Sequence, residues 1–122
     1  GRVARFDASE VVDASVGTAG IASVSFPSTP REIHGIVLQS DGKSVLHMSA
    51  DNLAAVARLT SDGRMDTNFA SSGYVVNSAF EVAPFYTMGN AIVLQADTKI
   101  VVAAQFRTGS ANGEFVAIRY WP

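Results

Sequence analysis

The sequence predicts an all-β protein built from two repeats, and three observations lead to that prediction. Short runs rich in β-branched and aromatic residues are separated by turn signals throughout the chain. Residues 36–45 return as residues 92–101, with seven of ten positions identical. The apolar spacing of an amphipathic helix does not extend beyond a single possible turn at residues 64–69.

The predicted strands lie at 45–49, 54–59, 74–77, 91–95, 100–106 and 115–120, which gives about four strands per repeat once less obvious segments are included. The segments Ser40-Asp41-Gly42-Lys43 and Ser61-Asp62-Gly63-Arg64 are typical of tight turns, because Gly adopts positive φ without strain. Pro27, Pro30 and Pro84 are expected in longer connections, where a missing N–H is tolerated.

A second repeated segment sets the domain organisation. Val3-Ala4-Arg5-Phe6 returns as Val56-Ala57-Arg58-Leu59, and a third copy, Val116-Ala117-Ile118-Arg119-Tyr120, lies near the end of the chain. We therefore predict one domain over residues 1–122, with repeats at about 5–58 and 58–119 and a third copy of the Val-Ala-Arg strand.

Composition excludes several functional classes. Hydrophobic residues make up 48% and charged residues 16%, whereas soluble domains carry about 25% charge. A net charge of −2 gives no basic surface for nucleic acid. The chain has no cysteine, which excludes thiol catalysis and cysteine metal sites. No apolar run approaches the length of a membrane-spanning helix, so we expect no membrane insertion.

Four strands in each copy, from Arg5 to Arg58 and from Arg58 to Arg119, match the size of a β-propeller blade. Gln39-Ser40-Asp41-Gly42-Lys43, then an Ala-Arg strand, then residues 61–69 and Gly73, resembles the bacterial delta-60 repeat. The first copy departs from the pattern at Ser9-Glu10 and Val16, and the second at Asp97-Thr98. The resemblance implies a propeller-like or stacked all-β array in a secreted or surface protein, with no defined enzyme activity.

Two blades cannot close a ring, which predicts assembly. The last residues, from Phe115 to Trp121, are largely apolar and do not form a polar cap. Three chains of two blades would give a six-bladed β-propeller, and two or four chains would give four or eight blades. The homotrimer is favoured because its architecture resembles that of small bacterial and fungal lectins. One terminal copy of the Val-Ala-Arg strand is expected to pair with another segment or a neighbouring chain, unless residues 1–6 are disordered.

The sequence offers no candidate set of catalytic residues. His34 and His47 have no further ligand at metal-binding spacing, and Asp62 and Asp66 lack the spacing of a calcium loop. We expect no cofactor and no metal. The recurring Arg5, Arg58 and Arg119 are explained either by a repeated anion or sugar contact, or by guanidinium groups that bond turn carbonyls or the repeated Asp13 and Asp66. The second explanation is favoured.

The ligand-binding candidates are the residues that break the repeat. Phe85 and Tyr86 lie in an aromatic connection, Arg107 and Glu114 flank the 109–113 insertion that contains Asn112, and Trp121 has no aromatic counterpart in the other copies. Aromatic rings beside polar side chains are typical of sugar sites. The alternative is that Phe85, Tyr86 and Trp121 fill interfaces.

Two functions are therefore expected from the sequence. The first is a non-enzymatic recognition domain, the tip of a secreted or cell-surface adhesin or fibre, that binds glycans or another surface ligand as a trimeric ring. The second is a structural spacer, a fragment of a longer repeat array. The stop at Tyr120-Trp121-Pro122, if natural, favours a terminal domain.

Overall fold

The computed structural model describes residues 1–25, 27, 30–51, 53–70, 72–77, 85–108 and 112–122. This part of the chain is all-β, as predicted, and contains no helix that could cross a membrane. Its strands are β1 (Arg2–Ala4), β2 (Ile21–Ser23), β3 (Pro30–Leu38), β4 (Ser44–Ala50), β5 (Leu53–Leu59), β6 (Tyr74–Val76), β7 (Phe85–Leu94), β8 (Ile100–Thr108) and β9 (Asn112–Tyr120).

The strands form three antiparallel sheets in chain order, β1-β2, β3-β4-β5-β6 and β7-β8-β9. The described residues therefore divide into two, four and three strands, where the sequence predicted two blades of four. Pro30 begins β3 and does not lie in a connection as expected. Its missing N–H is tolerated because β3 is an edge strand. Pro84 lies outside the described residues.

The two-stranded sheet reproduces the last half of the four-stranded sheet. Val3 pairs with Ala22 in β1-β2, and Val56 pairs with Val75 in β5-β6. Val56 and Val75 are the repeat equivalents of Val3 and Ala22, so the register is the same in the two copies. By the same comparison, β7-β8-β9 corresponds to β3-β4-β5.

Turns keep their conformation where the repeat motif is broken. Gly63 has φ of 83°, and Glu10, at the equivalent position after β1, has φ of 61°. Gly42 has φ of 82°, and its counterpart Thr98 has φ of 67°. Left-handed backbone costs about 1 kcal/mol or more for a residue with a side chain. Backbone hydrogen bonds close both turns, from Glu10 N–H to Asp7 O at 3.1 Å and from Thr98 N–H to Gln95 O at 2.9 Å.

The three sheets stack face to face with the four-stranded sheet in the middle. One apolar cluster joins it to the β1-β2 region and contains Val16, Ala22, Val24, Leu46, Met48, Ala50, Ala55, Ala57 and Leu59. A second cluster on its other face joins it to β7-β8-β9 and contains Val45, Val56, Phe69, Ile92, Ile100 and Val102. Burial of these two faces is the main stabilising contribution that the fold offers.

The uneven strand counts leave apolar side chains uncovered. Ile36 and Leu38 in β3 are 51% and 64% exposed, because the neighbouring sheet has only two strands and does not extend over β3. Val93 in β7 and Phe115 in β9 are exposed on the outer face of the third sheet, and Phe6 is exposed after β1. Part of the apolar surface of the described sheets is therefore in contact with solvent.

Candidate functional site

A repeated arginine–aspartate pair organises each copy of the repeat. Arg58 Nε donates to Asp66 Oδ2 at 2.8 Å, and Arg5 Nε donates to Asp13 Oδ2 at 2.9 Å. The second oxygen of Asp13 accepts the backbone N–H of Ser15 at 3.0 Å, and a backbone N–H bonds Asp66 in the same way. The structure thus confirms the favoured explanation for the recurring arginines at Arg5 and Arg58.

The first pair also links neighbouring sheets. Arg5 Nη1 donates to the carbonyl oxygen of Ser61 at 3.0 Å, and the backbone N–H of Gly17 donates to that of Asp62 at 2.8 Å. The turn that follows β5 is therefore held on the loop that follows β1. Gly63 is required at this contact, since a Cβ there would lie 2.7 Å from Val16 Cγ1 and 3.0 Å from the N of Gly17.

Arg58, the arginine of the second pair, lines a cleft of about 460 Å³. Its two walls are equivalent turns of the two repeats, one after β3 and one after β7, and Arg58 lies between them. The lining residues are Gln39, Ser40, Asp41, Lys43, Arg58, Leu94, Gln95, Ala96, Thr98 and Pro122. Because the two turns are copies, the cleft presents two amides from matched positions.

Polar groups in the cleft differ in whether they have ion-pair or hydrogen-bond partners within the described residues. Lys43 Nζ lies 3.2 Å from an oxygen of Asp41 and 3.4 Å from Asp66 Oδ2, so its charge is balanced. Gln39 Oε1 is buried and has no hydrogen-bond partner among the described residues. A buried acceptor without a donor is unfavourable by about 1–3 kcal/mol, and the rest of the Gln39 side chain lines the cleft.

The acidic side chains of the two turns, Asp41 and Asp97, are ionised at neutral pH. The backbone N–H of Lys43 lowers the pKa of Asp41, and the ammonium of Lys43 adds to that effect. Lys99 lowers the pKa of Asp97 through a side-chain hydrogen bond. Each of the two turns therefore carries an ionised carboxylate next to a cation, so their charges largely cancel.

Trp121 extends the apolar part of this region. Lys99 Nζ lies 4.5 Å from the centre of the Trp121 ring and also pairs with Asp97. The ring remains exposed. Since the adjacent Pro122 lines the cleft, an aromatic surface lies close to the polar turn residues.

The structure divides the six predicted ligand-binding residues between two ends of the third sheet. Strand pairing sets Tyr86 opposite Arg107, Phe85 opposite Thr108, and Thr108 opposite Asn112, with Glu114 two pairs further along β9. Trp121 follows the other end of β9, about 25 Å away at about 3.3 Å per residue. The backbone brings five of the residues to one end and separates Trp121 from them.

Sequence reasoning missed Gln39, Gln95 and Thr98 as cleft residues because repeated positions were interpreted as structural. The signal was nevertheless present. Two copies of a Gln-x-Asp-x-Lys turn, one at 39–43 and one at 95–99, occur at the same point of stacked repeats and so lie side by side. Residues 109–111 of the insertion lie outside the described residues.

The two histidines lie next to each other in the structure, with ring centres 5.6 Å apart. His34 Nε2 is 3.3 Å from the hydroxyl oxygen of Ser49. His47 is fully buried, and neither ring nitrogen has a hydrogen-bond partner among the described residues. Burial, and secondarily the charge of His34, lowers the pKa of His47 to about 4. The described part of the chain holds no group of three His, Asp or Glu suited to a metal.

Comparisons with family models, with curated proteins and with solved structures give no match for this chain. The resemblance to delta-60 repeats thus rests on the internal repeat and on residues 36–76, and it stays a prediction from the sequence.

Proposed function

We propose that this chain is a non-enzymatic recognition domain of a secreted or surface-exposed bacterial protein that binds a glycan in the cleft between its two equivalent turns. One observation carries the proposal. The open cleft of about 460 Å³ is walled by two copies of the same polar turn, whose matched glutamines, Gln39 and Gln95, both line it.

A sugar fits the chemistry of the cleft better than a strongly charged ligand. The amides of Gln39 and Gln95 and the hydroxyls of Ser40 and Thr98 offer both donors and acceptors to hydroxyl groups. The cations Lys43 and Lys99 already have carboxylate partners. Trp121 adds an exposed flat ring beside the mouth, on which C–H groups of a sugar ring can stack.

We further propose that three chains assemble into a six-bladed β-propeller of the delta-60 type, the tip of an adhesin or fibre. Exposed apolar side chains on β3 of the four-stranded sheet and on the outer face of the third sheet support assembly, because a lone domain rarely leaves such faces bare. A ring of identical chains would present several copies of the cleft, and weak individual sites would gain avidity.

A glycan array probed with the labelled chain tests the binding proposal. Gln39→Leu keeps the side-chain size and removes the amide, and we expect it to weaken binding to array hits at least tenfold. Gln105→Leu, in β8 at the far end of the third sheet, is the matched control and should bind like the wild type. An array without hits, or equal binding by Gln39→Leu and the wild type, contradicts the proposal.

A structural spacer is the second candidate function. It is favoured by the same exposed faces, since Ile36 and Leu38 would be covered by further repeats in an array. A chain that is monomeric and binds no glycan would support this candidate over the first.

A further inference from the structure

Two strands of the chain are copies of one strand of the repeat. Both β1 and β9 correspond to β5, the third strand of the four-stranded sheet. β1 pairs with β2 over three residue pairs, whereas β9 pairs with β8 over nine. In the described part of the chain, β9 is an edge strand with no strand on its other side.

The strand that would lie beside β9 can be identified from the other copies of the repeat. In the four-stranded sheet, β6 lies beside β5. The equivalent of β6 is β2, which here lies beside β1. A sheet of four strands in the repeat order would therefore be completed if β2 were placed beside β9. Within one chain β2 is held by β1 at the opposite side of the molecule.

We infer that, in the assembly proposed above, β9 of one copy replaces β1 of a second copy and pairs with the second copy's β2. The inference rests on the proposed ring and names its interface. Each shared sheet then has the order β7-β8-β9-β2, with β2 from the neighbouring copy. β1 acts as a placeholder that pairs with β2 until assembly.

The repeat fixes the register of this intermolecular pair. Val56 lies opposite Val75 in β5-β6, and the equivalent residues are Ala117 in β9 and Ala22 in β2. Arg119, exposed in the single chain, takes the place of Arg5. Its guanidinium then reaches Asp13 of the second copy, as Arg58 reaches Asp66 within the chain.

The exchange keeps the hydrogen bonds to β2 and adds apolar contact. Within the chain, Val37 of β3 packs in the cluster that covers Ile92 of β7. The residue equivalent to Val37 is Val93, which is exposed. In the shared sheet, Val93 of one copy covers Ile36 and Leu38 of the next, which are otherwise bare. Burial of these side chains favours the assembled state.

The exchange also reconciles the strand count with the predicted architecture. Without β1, the strands β2 to β9 make two sheets of four per chain, one within the chain and one shared. Three chains would then supply six four-stranded sheets, the number required for the proposed ring. The interface is heterologous, so identical contacts repeat around the ring until it closes.

Engineered disulfides test the exchange, since the chain has no cysteine of its own. Cross-strand neighbours lie about 4.5–5.5 Å apart between Cα atoms, within reach of a disulfide. In Ala22→Cys/Ala117→Cys, oxidation should link neighbouring copies and give a band of three chain masses on a non-reducing gel. Val3→Cys/Ala22→Cys is the matched variant. It locks β1 on β2 and should leave a monomer by light scattering.

Arginine variants provide a second readout that does not depend on disulfide formation. We expect Arg119→Ala to lower the native mass from three chains to one, and Arg5→Ala to remain a trimer. A native trimer that forms no link in Ala22→Cys/Ala117→Cys, or that survives the Val3→Cys/Ala22→Cys lock, overturns the exchange and leaves the ring standing. A monomer in every variant and in the wild type overturns both, whereas the glycan array still tests the cleft.

Discussion

Arg58 and Asp66 form a buried ion pair in which Arg58 Nε donates to Asp66 Oδ2 at 2.8 Å. Their side chains are 7% and 3% exposed. The guanidinium also lies over the ring of Phe69, 4.9 Å from its centre. The pair joins the end of β5 to the following loop, and the same arginine reaches the wall of the cleft. One side chain therefore serves both the fold and the candidate site.

Removal of the buried carboxylate should destabilise the chain strongly. Asp66→Ala leaves the Arg58 guanidinium buried without its partner, and we expect a loss of about 3–5 kcal/mol in the free energy of unfolding. Urea unfolding followed by circular dichroism measures the loss. Asp13→Ala, at the equivalent position, is the control and should lose less, because Arg5 and Asp13 are 41% and 28% exposed. Equal losses of unfolding free energy in Asp66→Ala and Asp13→Ala would contradict the prediction that burial makes the Arg58–Asp66 pair more important.

The two glycines at repeated turns should respond differently to the same substitution. Gly42 and Gly63 have φ of 82° and 83°, so alanine is strained at both, by about 1 kcal/mol. A Cβ at Gly63 would additionally meet Val16 and Ala22 at 2.7 and 2.9 Å, whereas one at Gly42 meets only Ser61 at 3.2 Å. We expect Gly63→Ala to lose roughly 1–3 kcal/mol more than Gly42→Ala in urea unfolding.

Mild acid should destabilise the chain through His47. Its pKa is about 4 in the folded state and 6.5 in the unfolded state, so the unfolded chain binds a proton that the folded chain excludes. Stability is full above pH 6.5 and falls as the pH drops from 6.5 toward 4, by roughly 3 kcal/mol in total. Urea unfolding at pH 7, 5.5 and 4.5 measures this fall.

Two variants, together with the lower pH range in which Asp13 titrates, separate the protonation of His47 from other pH effects. His47→Leu should flatten the profile between pH 6.5 and 4, whereas His34→Gln should keep most of the slope, because burial is the larger cause. Asp13, whose pKa is lowered from 3.8 to about 2 by hydrogen bonds from Ser15 and Arg5, contributes stability that is lost only below pH 3.8. A steep slope that persists in His47→Leu would contradict the assignment.

Trp121 should report ligand binding by fluorescence. It is the single tryptophan of the chain, and it lies next to Pro122 at the cleft. We expect saturation with a glycan from the array to shift its emission, and Lys99→Met to shift the emission of the free chain by removal of the ammonium 4.5 Å from the ring. An unchanged emission on binding would place the ligand elsewhere.

The sequence predicted the repeated part of the fold well because its signals are local. The strand predicted at 45–49 is β4, Ser44–Ala50, and the Asp-Gly turns have the positive φ that Gly permits. The separate β1-β2 sheet was not predicted, since two strands of three residues carry no pattern and depend on the face they pack against. Which strands join the same sheet depends on packing between segments that are distant in sequence, and local sequence patterns do not show it.

For the candidate site, the sequence identified Trp121 but not the cleft beside it. Because function was expected where the repeat is broken, the sequence predicted ligand-binding residues at Phe85, Tyr86 and the 109–113 insertion. The cleft instead arises where unbroken copies, such as Gln39 and Gln95, meet across stacked sheets. A single sequence does not show which copies will face each other, because that depends on how the sheets stack.

The duplicated walls of the cleft have an evolutionary consequence. Glutamine, aspartate and lysine recur in both turns, whereas Ser40 and Gly42 of one turn are replaced by Ala96 and Thr98 in the other. Since Thr98 holds the same left-handed turn as Gly42, side chains on one wall can change while the other retains its inherited contacts. A gene that encodes such a domain can explore new specificities by steps that each preserve half of the old one.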